Sequence, residues 1–117
     1  MSEHDRRIDY IEFRASDIEK AKAFYSSVFG WKFTDYGPDY TSFEDGRMSG
    51  GFTKLEGESG SGGGNPLVVI FADDLAGLEG AVTAAGGEIT ERHEFTGGRR
   101  FHFRDPVGNA LAVWTKD

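Results

Sequence analysis

A chain of 117 residues, 38% hydrophobic, 14% aromatic and 28% charged, carries enough apolar material for one hydrophobic core, and a single domain over residues 1–117 is expected. Its net charge of −7, with no basic stretch to offset it, argues against a nucleic-acid partner. The absence of cysteine excludes disulfides, thiolate nucleophiles and cysteine-ligated zinc, and no apolar run approaches the ~20 residues that a membrane span needs.

Taken in order, the polar start MSEHDRRIDY lacks the apolar core of a signal peptide, so a cytoplasmic protein is expected. IDYIEFR, residues 8 to 14, alternates as a strand: Ile11 and Phe13 share a face suited to cover by a helix, while Tyr10, Glu12 and Arg14 share the other. Ser16-Asp17-Ile18-Glu19 reads as a capping box with the Ser16 hydroxyl as the cap. Ile18, Ala21, Phe24, Tyr25 and Val28 then recur at helical spacing, and Gly30 is placed to end the helix in the left-handed conformation. Trp31 and Phe33 follow as core residues. Glu44-Asp45-Gly46-Arg47 offers the Asp-Gly pair of a type I′ hairpin.

GESGSGGGNP, residues 57 to 66, has the composition of a flexible connector and lacks the lysine of a phosphate loop. Beyond it the plan repeats. Laying Asp17-Ile18 on Asp74-Leu75 brings Gly30 onto Gly87 at the same offset. Val68 and Ile70 mirror Ile11 and Phe13, leaving Leu67, Val69 and Phe71 on the opposite face. Asp73 or Asp74 caps a helix with the stripe Leu75, Leu78, Val82 and Ala85, which Gly86-Gly87 stops. His93, in a polar connector, and His4, at the N-terminus, are given no role. Asp105-Pro106-Val107-Gly108-Asn109 suits a type I turn with glycine in a left-handed bulge. That turn pairs Asp105 with Asn109, which sets His102 across from Ala112 and Phe103 across from Leu111. Phe101, Phe103, Leu111 and Val113 then form one face, and Arg100, His102, Ala112 and Trp114 the other.

The expected fold is α+β: two tandem βαβββ modules, about residues 8–55 and 67–115, form a curved, partly open, eight-stranded barrel-like sheet with helices outside. Its concave face would carry Tyr10, Glu12, Arg14, Arg100, His102 and Trp114, a mix of aromatic and convergent polar groups suited to a small molecule.

The repeat, the helix SDIEKAKAFYSSVFGWKF and the closing DPVGN together resemble the vicinal oxygen chelate superfamily, over about residues 8 to 115. That group includes glyoxalase I, extradiol dioxygenases, fosfomycin-resistance enzymes and bleomycin-resistance proteins. Its metal-using members place four histidine or glutamate side chains around a divalent ion. The matching positions here are Tyr10, a glycine near Gly50, Leu67 and Ala112, which do not supply such a donor set. The resemblance therefore implies a member without the usual metal or any other cofactor, and a homodimer.

The leading expectation is metal-independent binding of a small organic molecule in the inter-module cleft, with Tyr10, Arg14, Leu67, Arg100, Ala112 and Trp114 as ligand-binding residues. The acidic balance would favour a cationic ligand. The alternative is a lyase or isomerase in which Glu12 and His102 transfer protons, His102 because an imidazole titrates near neutrality. The plainer readings are that Glu12 pairs with Arg14 or Arg100, that His102 is a wall residue, and that Trp114 and Tyr10 pack rather than stack on ligand. A further alternative is an interaction domain with a vestigial cavity.

Overall fold

Each half of the repeat folds into the same order of elements. The first holds β1 (Tyr10–Ala15), α1 (Ile18–Phe29), β2 (Lys32–Asp35), β3 (Tyr40–Glu44) and β4 (Ser49–Lys54). The second holds β5 (Val68–Phe71), α2 (Leu75–Ala84), β6 (Glu88–Phe95), β7 (Gly98–Arg104) and β8 (Ala110–Lys116). This computed structural model describes residues 5, 6, 8–54 and 66–117, so His4 and connector residues 57–65 lie outside the described residues. The α+β plan of two βαβββ modules is as expected. The eight strands divide into two four-stranded mixed sheets, ordered β1-β4-β3-β2 and β5-β8-β7-β6, and the arrangement is open rather than a closed barrel. In each sheet the first strand runs parallel to the last, and the others are antiparallel. No described helix is long and apolar enough to cross a membrane.

The helix ends are set by local chemistry, with one correction. The cap of α1 is Asp17, not Ser16: the Asp17 carboxylate accepts from the Lys20 N–H at 3.1 Å. Asp74 does the same for α2 through the Gly77 N–H at 3.0 Å. A carboxylate at this position satisfies an orphan amide and also meets the positive end of the helix dipole, an advantage a hydroxyl lacks. Asp17→Ala is expected to cost about 1 kcal/mol of unfolding free energy, whereas Ser16→Ala leaves the urea midpoint unchanged. Equal losses in the two variants would restore Ser16 as the cap.

Gly30 ends α1 at φ 73°, its N–H donating to the Ser26 carbonyl at 3.1 Å. In the second module the left-handed residue is Gly86, at φ 96°, one place earlier than the repeat offset suggests. The β3–β4 hairpin also differs from expectation. Glu44 pairs with Ser49, and the bend is centred on Gly46-Arg47. Only Gly46 has positive φ, at 98°, which is the type II′ pattern rather than I′. Asp45 instead holds the turn from outside, its carboxylate accepting from the Arg47 and Met48 amides at 2.8 and 2.6 Å.

The core is aromatic and belongs to both modules. Trp31 stacks between Tyr25 and Phe43, with ring centroids 4.6 and 4.2 Å away, and Phe13 stacks on Phe52 at 5.3 Å. Helix α1 then reaches across: Phe24 and Phe29 both pack on Phe103 of β7, each at 5.9 Å. Fully burying such a side chain is worth about 1.5–3 kcal/mol. The two modules are therefore joined by α1 on the helix side, while the opposite face of each sheet stays open.

Candidate functional site

The β7–β8 turn fixes what the open face of the second sheet displays. The Asp105 N–H donates to the Asn109 carbonyl at 2.8 Å and the Gly108 N–H to the Asp105 carbonyl at 3.1 Å. Gly108 sits at φ 98°, where a side chain would be strained. The pairing that results is the expected one: His102 opposite Ala112, Phe103 opposite Leu111, Arg100 opposite Trp114. Phe101, Phe103, Leu111 and Val113 are buried against the helices.

The open face of this sheet reads as two rows across the strands. Val69, Ala112, His102 and Glu91 make one row, and Phe71, Trp114, Arg100 and His93 the other. The β5–β8 half is apolar: Phe71 meets the Trp114 ring edge-on at 5.3 Å, and Phe95 approaches it at 6.5 Å. The β7–β6 half is polar. Glu91 Oε1 and His93 Nε2 are 2.8 Å apart, and the His93 and His102 rings lie at 5.3 Å. Among the described residues two buried side-chain atoms have no hydrogen-bond partner, Arg100 Nε and His102 Nε2. Burial pushes the His102 imidazole below its ordinary value, with Arg100 and His93 adding to the effect and Glu91 opposing it. The Glu91 carboxyl is held below its ordinary value first by the hydrogen bond to His93, then by the charges of His102 and Arg100.

On the first sheet the open face carries Tyr10, Glu12 and Arg14 of β1, as expected, together with Tyr40 of β3. The Tyr40 hydroxyl donates to Glu12 Oε1 at 3.0 Å and is also hydrogen-bonded to the Tyr10 hydroxyl. Burial, then these two contacts, pushes the Tyr40 phenol well above its ordinary value. Gly51 lies beneath the pair, where a Cβ would collide with both hydroxyls, so only glycine lets the two tyrosines close over the strand. Among the described residues no ion pair joins Glu12 to Arg14 or Arg100; its partner is Tyr40.

The structure thus gathers Tyr10 with Glu12, and gathers Arg100, His102, Ala112 and Trp114 on the other sheet. No described hydrogen bond, ion pair or ring contact joins the two sets. A groove of about 550 Å³ does run between the modules, flanked by Ile11, Phe13 and Met48 on one side and Val69, Ile70 and Phe71 on the other. Neither Glu12 nor His102 lines it. Leu67 precedes β5 and is exposed, and Ala112 is fully buried beneath its neighbours. As a metal set, the four matched positions do not fit a divalent ion. The Tyr10 hydroxyl is committed to Tyr40, and the glycine near Gly50, Leu67 and Ala112 carry no side-chain donor.

Three residues escaped the sequence reading: Tyr40, Glu91 and His93. His93 is not in a connector but in β6, which extends from Glu88 to Phe95. The signal was the period-two run Glu91, His93, Phe95, obscured because the register shifts between Ile89 and Glu91.

The Glyoxalase/Bleomycin resistance protein/Dioxygenase superfamily matches residues 7–113. The anthracycline biosynthesis protein DnrV of Streptomyces peucetius is 32% identical over 126 aligned residues, which take in 92% of this chain and 46% of the relative. The chain therefore spans about half the length of that relative. Among solved structures, the fosfomycin resistance protein FosX of Mesorhizobium loti superposes with a TM-score of 0.77 at 17% identity, over 96% of this chain and 93% of that one. A lactoylglutathione lyase of Agrobacterium tumefaciens gives 0.73 at 20% identity, over 94% and 93%. At these identities the structural likeness is one of fold.

Proposed function

Because the chain belongs to the Glyoxalase/Bleomycin resistance protein/Dioxygenase superfamily, we propose that it binds a small, largely apolar organic molecule on the open face of β5-β8-β7-β6, without a metal at Tyr10, the glycine near Gly50, Leu67 and Ala112. The carrying observation is the make-up of that face. An aromatic wall, Phe71 and Trp114, adjoins two polar side chains, Arg100 and His102, each with a buried nitrogen that has no partner. Apolar surface with a few convergent, unsatisfied polar groups is how small-molecule sites are built. The name of the Streptomyces peucetius relative, an anthracycline biosynthesis protein, is in keeping with an organic ligand.

One sheet face is a wall, not a cavity, and the opposing wall comes from a second copy of the chain. Large apolar side chains are exposed on both open faces: Tyr10 at 42%, Val69 at 43%, Phe71 at 45% and Phe95 at 44%. Exposed apolar side chains grouped on a sheet face mark an interaction surface. The proposed unit is a cytoplasmic homodimer with the ligand held between facing sheets. Arg14 would lie at its rim.

A lyase or isomerase using Glu12 and His102 is a second reading, favoured by the unpartnered Nε2 of His102. Against it, Tyr40 already occupies Glu12, and the two residues stand on different sheets. Thermal melting against a library of planar organic compounds is the test. A ligand present at 100 times its Kd should add about 2.7 kcal/mol, a rise on the order of 10 °C, with sedimentation giving twice the 12.9 kDa chain mass. If no compound raises the melting temperature, the binding reading fails. Turnover of a bound compound would favour the enzyme.

A further inference from the structure

We propose that Glu91, His93 and His102 form a binding site for one divalent transition-metal ion of the zinc or nickel class, held on β6 and β7. The site is distinct from the set Tyr10, the glycine near Gly50, Leu67 and Ala112, and shares no residue with it. It stands independently of any organic ligand, because it is read out as metal content.

Strand geometry brings the three side chains together. Glu91 and His93 are two residues apart on β6 and so project to one side. On β7, His102 pairs directly with Glu91, and Arg100 with His93. The carboxylate and two imidazoles are therefore neighbours on a paired, rigid segment. Their ligand atoms all lie within 4.8 Å of one another, and no other such group of three occurs among the described residues. Glu91 Oε1 and His93 Nε2 already stand at 2.8 Å. Metal–nitrogen and metal–oxygen bonds of about 2.1 Å ask for donor separations of about 3–3.4 Å, so modest side-chain rotation closes the third corner.

A second observation points to the same place. His102 Nε2 is buried and has no hydrogen-bond partner. A buried nitrogen without a partner is destabilising, and an ion that takes it as a ligand removes that cost. Two imidazoles and one carboxylate on one side of an ion leave further positions for water or a ligand atom, the pattern of open transition-metal sites.

The chemistry also sets the ion. Arg100 faces the same side, and its charge opposes any cation. Zinc, nickel and copper gain enough from imidazole nitrogen to overcome it. Magnesium and calcium, which want several oxygens, do not.

The test uses the full chain without an affinity tag, dialysed against ZnCl₂ or NiCl₂ and assayed for bound metal, with Co²⁺ absorption as a report on imidazole ligation. One ion per chain is expected, unaffected by excess Mg²⁺. Glu91→Gln, His93→Ala and His102→Ala should each weaken binding at least ~10-fold, while Arg100→Ala strengthens it. The chain has three histidines, so His4→Ala is the control and should change nothing. Melting of each variant without metal separates lost ligation from lost folding; Glu91 and His93 are exposed, so their variants are expected to fold. No uptake, uptake that survives loss of His93 and His102, or uptake lost in His4→Ala would each overturn the site.

Discussion

Asp105→Ala is expected to lower the unfolding free energy by about 3 kcal/mol, which for a domain of this size lowers the melting temperature by about 12–20 °C. The closing turn is a buried polar knot. Asp105, only 3% exposed, accepts from the Val107 and Asn109 amides through Oδ1, at 2.9 and 2.8 Å, and from the Tyr25 hydroxyl through Oδ2 at 2.7 Å. Asn109, 1% exposed, passes the connection on, its Nδ2 donating to the Arg14 carbonyl of β1 at 2.8 Å. One carboxylate therefore ties the β7–β8 turn to α1, and its neighbour ties that turn to β1. Alanine would strand three buried donors at once. Asparagine keeps an acceptor for the two amides and can donate to the Tyr25 oxygen, so Asp105→Asn should cost about 1 kcal/mol. Chemical denaturation of both variants checks the ranking, and a wild-type-like Asp105→Ala would show that the knot is not needed.

The same residue has a pH signature. Burial raises the Asp105 carboxyl above its ordinary value, and the hydrogen bonds from Tyr25, Asn109 and Val107 only partly offset this. A raised folded-state value means that folding favours the protonated acid. That contribution is fully present below the unfolded value of about 3.9 and is lost as pH rises through the raised folded value. Asp105→Asn cannot titrate, so wild-type stability minus that of the variant isolates the effect. The difference should favour wild type most in acid and decline as pH rises out of the ordinary carboxylate range. A difference that does not change with pH would refute the assignment.

The turn also explains how much of the fold could be read from the chain. Pro106 and Gly108 have strong local preferences, so the bulged hairpin and the placement of His102, Ala112 and Trp114 followed from short-range chemistry alone. The two helices were legible for the same reason, although Ser16 and Asp17 are both good caps and only the structure separates them. What stayed hidden depends on long-range geometry. Nothing local says that Tyr40 will fold over Gly51 onto Glu12, since those contacts span 28 to 30 residues. His93 was missed because an irregularity in β6 breaks the alternation that would have placed it beside His102. Division into two open sheets was likewise beyond reach of periodicity, which sets the face of a strand but not which sheet closes on which.

Trp114→Ala is expected to weaken binding of any compound found by melting about 30-fold, since truncating a central aromatic anchor costs about 2 kcal/mol and every 1.4 kcal/mol is a factor of ten. The residue is half-buried at the middle of the open face, between Phe71 and Phe95 and in register with Arg100. A planar ligand on this face has to cover it. The two tryptophans make the experiment self-reporting. Trp31 is 6% exposed and locked between Tyr25 and Phe43, so a ligand outside the core leaves its emission unchanged. Titration should therefore quench Trp114 alone: the signal persists in Trp31→Phe and vanishes in Trp114→Phe, which keeps an aromatic wall and so keeps most of the affinity. Lys20→Ala, on α1, serves as a control with unchanged binding. If Trp114→Ala binds as tightly as wild type, or the quenching follows Trp31, the ligand enters elsewhere and the open face of β5-β8-β7-β6 is not the site.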